Sequence, residues 1–177
     1  MSDKIIIVDF EDSFTFNIAN ILFAFEKKIL VISHVEFFKS YLKNLKLENR
    51  RIAIILGPGP GHPDEYQKYY EDIKKIVLNK NIYCMGICLG HQIMARVEGC
   101  EVSLSAKQMH GQTIEVDFRG SKKIVQRYNS LSVLDRGLEL NIIEYQNGIS
   151  YQFHPESVGT LQNDIFFENL LSFIKYE

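Results

Sequence analysis

Tryptophan is absent from this chain, proline is scarce, and cysteine occurs only at Cys84, Cys88 and Cys100. An odd number of cysteines without a framework spacing, and with no secretory signal ahead of them, argues against a disulfide-stapled secreted scaffold and for a reducing cytosol. No apolar run approaches the ~20 residues of a transmembrane helix. The start leads straight into the strand-like Ile5-Ile6-Ile7-Val8, so a soluble, untargeted, cytoplasmic protein is expected. Neither charge is in excess: a net charge of −2 gives no electrostatic reason to expect nucleic acid or a membrane as partner. Cys84 and Cys88 have a spacing that suggests metal ligands, but Cys84 falls within a predicted strand and His91 opens a helix, so no metal is expected. Linkers, repeats and low-complexity tracts are also missing. The 177 residues are therefore read as a single domain, 1–177, long enough to bury a substantial core.

The few prolines are not scattered. Pro58, Pro60 and Pro63 stand in Leu56-Gly57-Pro58-Gly59-Pro60-Gly61-His62-Pro63, directly after the apolar run Ile52-Ala53-Ile54-Ile55. This reads as a strand ending in a stiff loop. Glycines leave backbone N–H groups open to a ligand and prolines keep the loop from collapsing, so the segment suits an oxyanion donor or a contact to a substrate carboxylate. The fourth proline, Pro155, separates His154 from Glu156 in Gln152-Phe153-His154-Pro155-Glu156-Ser157. It fixes its own φ near about −65° and biases His154 towards extended geometry, which restricts the His–Glu unit.

Between these segments lies Tyr83-Cys84-Met85-Gly86-Ile87-Cys88-Leu89-Gly90-His91-Gln92, where a cysteine flanked by glycines stands at a strand-to-helix turn. A nucleophile elbow has this form: small neighbours tolerate the strained turn, and the N–H after the nucleophile, here that of Leu89, helps to hold an oxyanion. A free thiol of pKa ~8.5 is mostly protonated at neutral pH, so a histidine must take its proton or stabilise the thiolate. His154 is the candidate, and Glu156 would orient it. Cys88, His154 and Glu156 together suggest a hydrolytic triad.

In the first half, apolar runs alternate with helical patterns, which predicts βαβ units and a mostly parallel sheet flanked by helices. Strands are expected at 4–8, 29–33, 52–56 and 82–87, and helices at 14–25, 36–46, 64–78 and 89–98. The second half predicts shorter strands, at about 101–104, 112–118, 122–128, 140–145 and 149–153, with turns at Arg119-Gly120 and Asn147-Gly148, then a helix over about 163–175. The Lys/Glu-bearing stretch 39–51 reads as a solvated helix face and loop. In open α/β sheets ligands bind beyond the carboxyl ends of strands, which is where Gly57–Pro63, Cys88 and His154 all fall.

Taken in order and spacing, these motifs resemble the class I (triad) glutamine amidotransferases over nearly the whole chain. Asp12-Ser13-Phe14-Thr15-Phe16-Asn17 and Met109-His110-Gly111-Gln112-Thr113 are similar to the branch that serves chorismate-using synthases. The resemblance implies that Cys88 attacks the glutamine side-chain amide, that His154 is base and acid, and that Glu156 orients His154. It implies an oxyanion hole from the N–H groups of Gly59 and Leu89. Glutamine would be held by Gly59, Pro60, Gly61 and Gln92, and by the backbone around Ser130-Leu131. Neither cofactor nor metal is implied. The implied partner is a chorismate-using synthase subunit, that of anthranilate synthase ahead of aminodeoxychorismate synthase, or one subunit shared by both. Two departures stand out. Asn129 occupies a position where the branch commonly has histidine, and the stretches 113–127 and 130–154 are shorter than the branch usually shows.

Blander readings compete. Cys84 and Cys100 read as core cysteines. His34 and His62 read as surface or turn residues, and His91 as a first-turn residue with a structural hydrogen bond. His110 is balanced between a loop histidine and a relay of the partner's state. Phe10, Phe14, Phe16, Phe23 and Phe25 read mostly as core, with Phe14 and Phe16 as candidate partner contacts. The shortened second half and Asn129 also admit a non-catalytic regulatory subunit with an impaired glutamine site. A free-standing γ-glutamyl peptidase is disfavoured by the Asp12–Asn17 and Met109–Thr113 segments.

Overall fold

The computed structural model describes residues 4–47 and 50–175. Glu48 and Asn49, within the stretch read as a solvated face and loop, lie outside the described residues. Six strands form one sheet in the order β2 (Ile29–Ser33), β1 (Ile5–Asp9), β3 (Ile52–Leu56), β4 (Ile82–Ile87), β9 (Gly148–Tyr151) and β8 (Ile142–Tyr145). All neighbours are parallel except β8 and β9.

The inner strands carry unbroken apolar runs because both faces of the sheet are covered. Ile5, Ile7, Ala53, Ile55, Tyr83, Met85 and Ile87 face one core, closed by Ile18 and Leu22 of α1 (Thr15–Phe23) and by Leu170, Leu171 and Ile174 of α6 (Glu168–Lys175). Their neighbours Ile6, Val8, Ile52, Ile54, Leu56, Ile82 and Cys84 face the other. That side is closed by Ile73, Ile76 and Val77 of α4 (Tyr70–Val77), by Ile93 and Met94 of α5 (Leu89–Val97), and by Phe37 and Phe38. The alternation of inward residues along each strand thus divides one hydrophobic run between two cores.

A second sheet of three antiparallel strands, β5 (Glu101–Phe118), β6 (Ser121–Asp135) and β7 (Leu138–Leu140), stands beside the first. The segments expected as short strands at 101–104 and 112–118 belong to one strand of 18 residues. β5 stays paired with β6 through register shifts between Leu104 and Met109 and between His110 and Gln112, so local polarity did not end it. The run expected at 140–145 divides at Asn141, with β7 pairing to β6 and β8 to β9.

Other boundaries shift for local reasons. The helix expected at 36–46 starts earlier, because the Ser33 side chain caps α2 (His34–Glu36), and it passes through a π-helical stretch, Phe37–Tyr41, before α3 (Leu42–Asn44). Residues 63–69 form a 3₁₀ turn ahead of α4, started by a capping box between His62 and Glu65. Another 3₁₀ turn, Asn163–Phe167, precedes α6. The phenylalanine cluster is corrected more substantially. Phe10 is buried, Phe14 is half-buried, and Phe16, Phe23 and Phe25 are exposed, because Thr15, Ile18 and Leu22 form the buried stripe of α1.

Candidate active site

β3, β4 and β9 are adjacent in the sheet, so the loops leaving their carboxyl ends converge. Cys88 follows β4 with φ 52° and ψ −102°, the strained geometry expected at an elbow. Two close approaches make its glycine neighbours necessary. A Cβ on Gly90 would lie 2.0 Å from the Leu56 carbonyl oxygen, and one on Gly86 would lie 2.7 Å from both the Gly90 oxygen and Met94 Sδ. The Cys88 N–H donates to the Tyr151 carbonyl at 2.8 Å, which ties the elbow to the strand leading to His154. The sulfur-bearing residue is itself only 7% exposed.

β9 ends at Tyr151 rather than 153, and Gln152 to His154 leave the sheet. The His154 N–H donates to the Gln126 carbonyl at 2.9 Å, and its own carbonyl accepts from Thr160 Oγ1 at 2.7 Å. Both His154 and Glu156 are buried. His154 Nδ1 and Glu156 Oε1 are 2.7 Å apart. A carboxylate oxygen accepts, so Nδ1 carries the proton and Nε2 is left to face a thiol.

Among the described residues Nε2 has no hydrogen-bond partner of normal geometry, although it lies within the electrostatic reach of Cys88. Catalytic hydrogen bonds are often loose before a ligand is present, and the field acts across the gap. Burial disfavours a charged His154, but the charge and hydrogen bonding of Cys88, followed by those of Glu156, outweigh it and hold the pKa well above the ordinary histidine range. The ring is gripped by Phe14 and Tyr128, with centroids at 5.2 and 5.3 Å. Such a pair suits thiolate attack followed by proton return to a leaving group.

Gly59 lies beside the elbow: a Cβ there would fall 2.5 Å from Phe10 Cβ and 2.7 Å from Leu89 Cδ2. Leu89 opens α5, where first-turn N–H groups have no acceptor within the helix. The Leu89 side chain thus packs against Gly59, so the two residues that carry the candidate oxyanion donors are neighbours. Pro60 and Gly61 are exposed, and Pro60 is tied outwards through its carbonyl, which accepts from the Tyr66 hydroxyl at 3.3 Å.

Gln92 Nε2 donates to the Leu131 carbonyl at 3.0 Å, which joins α5 to β6. The same carbonyl accepts from Asn129 Nδ2 at 2.8 Å, and Asn129 Oδ1 accepts from Arg127 Nε at 2.9 Å. Arg127 in turn pairs with Glu139 at 3.4 Å. Asn129 thus braces the segment in which Ser130 stands half-buried. His91 is fully buried, between Ser150 Oγ at 2.8 Å and the Leu140 carbonyl at 3.0 Å, so its expected structural role holds. His110 is exposed beside a register shift.

One side chain beyond those expected from the sequence, Gln126, also borders the site. Its side-chain oxygen accepts from the Ser157 hydroxyl and the Gly159 N–H, and its nitrogen donates to the Gly111 carbonyl at 3.0 Å. It joins the β5 irregularity to the loop carrying His154 and Glu156. A glutamine in a polar, strand-like run gives no signal of that position.

The family model for glutamine amidotransferase class-I matches residues 6–141. The chain belongs to the class I glutamine amidotransferases. This amidotransferase is 31% identical to anthranilate synthase component 2 of Cyanidium caldarium, over 95% of this chain and 97% of that one. It is also 31% identical to a protein of Schizosaccharomyces pombe provisionally named aminodeoxychorismate synthase, over 96% of this chain but 26% of the larger protein. Among solved structures, a Thermoplasma acidophilum protein provisionally assigned to GMP synthase superposes with a TM-score of 0.79 over 99% of this chain and 95% of that one, at 17% identity. That likeness concerns the fold. The mostly parallel sheet with flanking helices and a small antiparallel sheet is the fold expected from the sequence. No helix among the described residues is long and apolar enough to cross a membrane.

Proposed function

We propose that residues 1–177 act as one amidotransferase domain that hydrolyses L-glutamine at a Cys88–His154–Glu156 triad and passes the ammonia to a chorismate-using synthase subunit. The buried His154–Glu156 hydrogen bond, aimed at an elbow cysteine, carries this reading. His154 holds the thiol proton as an imidazolium, and the Cys88 thiolate sulfur bonds to the side-chain amide carbon. The N–H groups of Gly59 and Leu89 receive the negative charge on the oxygen. The C–N bond then breaks, His154 protonates the leaving nitrogen, and ammonia departs from a γ-glutamyl thioester. Water deprotonated by His154 attacks the thioester, the C–S bond breaks, and glutamate leaves with the thiol restored.

Glutamine is held at its amino-acid end by Gln92 and the Ser130–Leu131 backbone, with Gly59, Pro60 and Gly61 lining the opposite loop. Gln92 Nε2 is committed to Leu131, so Oε1 is the atom left for a ligand, and it suits the α-ammonium group. The names of the relatives favour anthranilate synthase over aminodeoxychorismate synthase as the assembly served. A cytoplasmic location accompanies that reading. The His154–Glu156 contact and the bracing by Asn129 weigh against an impaired, purely regulatory subunit.

The test is Cys88→Ala. The variant should fold, retain its synthase and support ammonia-dependent product formation, while glutamine-dependent formation falls to background. Glutamate release that survives the substitution would overturn the assignment. The product of the co-purified synthase, anthranilate or aminodeoxychorismate, decides the branch.

A further inference from the structure

We propose that Gln152 is a fourth active-site residue, donating an amide N–H to the Cys88 sulfur and stabilising the thiolate. The inference rests on the reading of Cys88 as nucleophile. Gln152 is fully buried, and its side-chain nitrogen lies 4.0 Å from Cys88 Sγ, the outer range for a donor to a large sulfur atom.

The contacts fix which end of the amide faces the sulfur. The Leu131 carbonyl only accepts, so the Gln92 atom 3.0 Å from it must be the NH₂ group. That same nitrogen is 3.2 Å from the other end of the Gln152 amide, which must then be the oxygen. The Gln152 NH₂ is left pointing at Cys88. A reversed amide would set two donors against each other and an oxygen against the sulfur.

The polarity is anchored further back. Asn129 also donates to the Leu131 carbonyl, and Arg127 donates to Asn129 and pairs with Glu139. A hydrogen-bond network therefore runs from the part-buried Arg127–Glu139 pair through Asn129 to the Leu131 carbonyl, and from that carbonyl through Gln92 and Gln152 to the nucleophile, ending with a donor towards the atom that becomes negative. Preorganised donors at such a position stabilise charge without reorganisation during the reaction. Within this arrangement Gln152 touches a reacting atom, while Gln92, Asn129 and Arg127 position it.

Two variants of the full chain test the proposal. Gln152→Met keeps the bulk and removes the donor, and Gln152→Glu keeps the shape but turns an oxygen towards the sulfur. Iodoacetamide alkylation of Cys88 at fixed pH, located by peptide mass spectrometry, should slow about tenfold in Gln152→Met and further in Gln152→Glu, the size expected for losing a weak hydrogen bond to a charged group. kcat for glutamate release should fall in parallel, with KM changed less than about threefold. A folded Gln152→Met with unchanged alkylation rate and kcat overturns the proposal. If Cys88→Ala is inactive in that case, only Gln152 fails; if Cys88→Ala stays active, the underlying assignment fails first. Should Gln152→Met not fold, the side-chain amide resonance of Gln152 decides: it should shift between the unsubstituted protein and Cys88→Ala while that of Gln126 stays, and an unmoved Gln152 signal rejects the contact.

Discussion

His91 is buried as a neutral ring, and that should be visible as a pH-dependent stability that one substitution removes. Its Nε2 faces the Leu140 carbonyl, which only accepts, so Nε2 carries the proton and Nδ1 accepts from Ser150. Burial disfavours the charged form and drops the pKa to about 4, against the lesser upward pull of the Leu140 and Ser150 contacts. In the unfolded chain the ring titrates near about 6.5. The unfolded state therefore binds a proton first as pH falls, and stability is lost between about 6.5 and 4, levelling off below. The gap is worth about 3 kcal/mol in full, and about 2 of these are already lost at pH ~5. His91→Gln abolishes the titration and should cost about 1–2 kcal/mol at pH ~8 through one unmatched hydrogen bond. The two stability curves should consequently cross between about pH 5 and 6. The raised His154 pKa acts in a different window: its contribution is fully present below its unfolded value and is lost only as pH rises through its folded one. It is common to both proteins and leaves their difference intact. With no tryptophan in the chain, urea unfolding is best followed by far-UV circular dichroism. Curves that stay parallel from pH ~4.5 to ~8 would refute a neutral buried His91.

Two further outcomes follow from the site. Gly90→Ala would ordinarily help a helix by about 1 kcal/mol, but here the new Cβ meets the Leu56 carbonyl at 2.0 Å, so thermal unfolding should show a net loss of roughly 1–3 kcal/mol; an unchanged or higher Tm would show that the elbow is not packed this tightly. Glu156→Gln keeps the shape but removes the charge that supports the His154 imidazolium, so kcat for glutamate release should fall roughly 10²-fold with little change in KM, and a wild-type rate would remove Glu156 from the triad.

What could be read from sequence divides by the range of the interaction that decides each feature. β2, β3 and β4 were legible to the residue: β3 and β4 are buried on both faces and apolar throughout, while β2, partly buried at the sheet edge, is an apolar run set off by Lys28 and Ser33. Cys88 was legible for a similar local reason: Gly86 and Gly90 are required by contacts within two turns of the elbow and by the neighbouring strand. β5 and β6 were not, since a polar strand is held by its pairing partner rather than by its own pattern, and that pairing continues across irregularities that resemble breaks. For α1 the helix was legible but its buried face only in part, because Phe16 and Phe23 are as apolar as Ile18 and Leu22 but lie on the exposed side.

The same distinction holds within the candidate site. The nucleophilic and titratable residues Cys88, His154 and Glu156 were named from sequence, as was the amide of Gln92, whereas Gln126, Gln152 and the Arg127–Glu139 pair, which hydrogen-bond around them, were not. An amide has no pKa near neutrality and no fixed donor end until its neighbours set one, so Gln126 and Gln152 have no chemistry to advertise in a string of letters. The direction of Gln152 comes from Leu131, a carbonyl 39 residues beyond Gln92 in the chain. Reactive groups are therefore the part of such a site that local patterns expose, while the polarity around them is created by the fold. This is why Asn129, a departure when judged against its branch, becomes a coherent member of the site once its bonds are seen: its oxygen accepts from Arg127, and its nitrogen donates to Ser132 and to the carbonyl that orients Gln92.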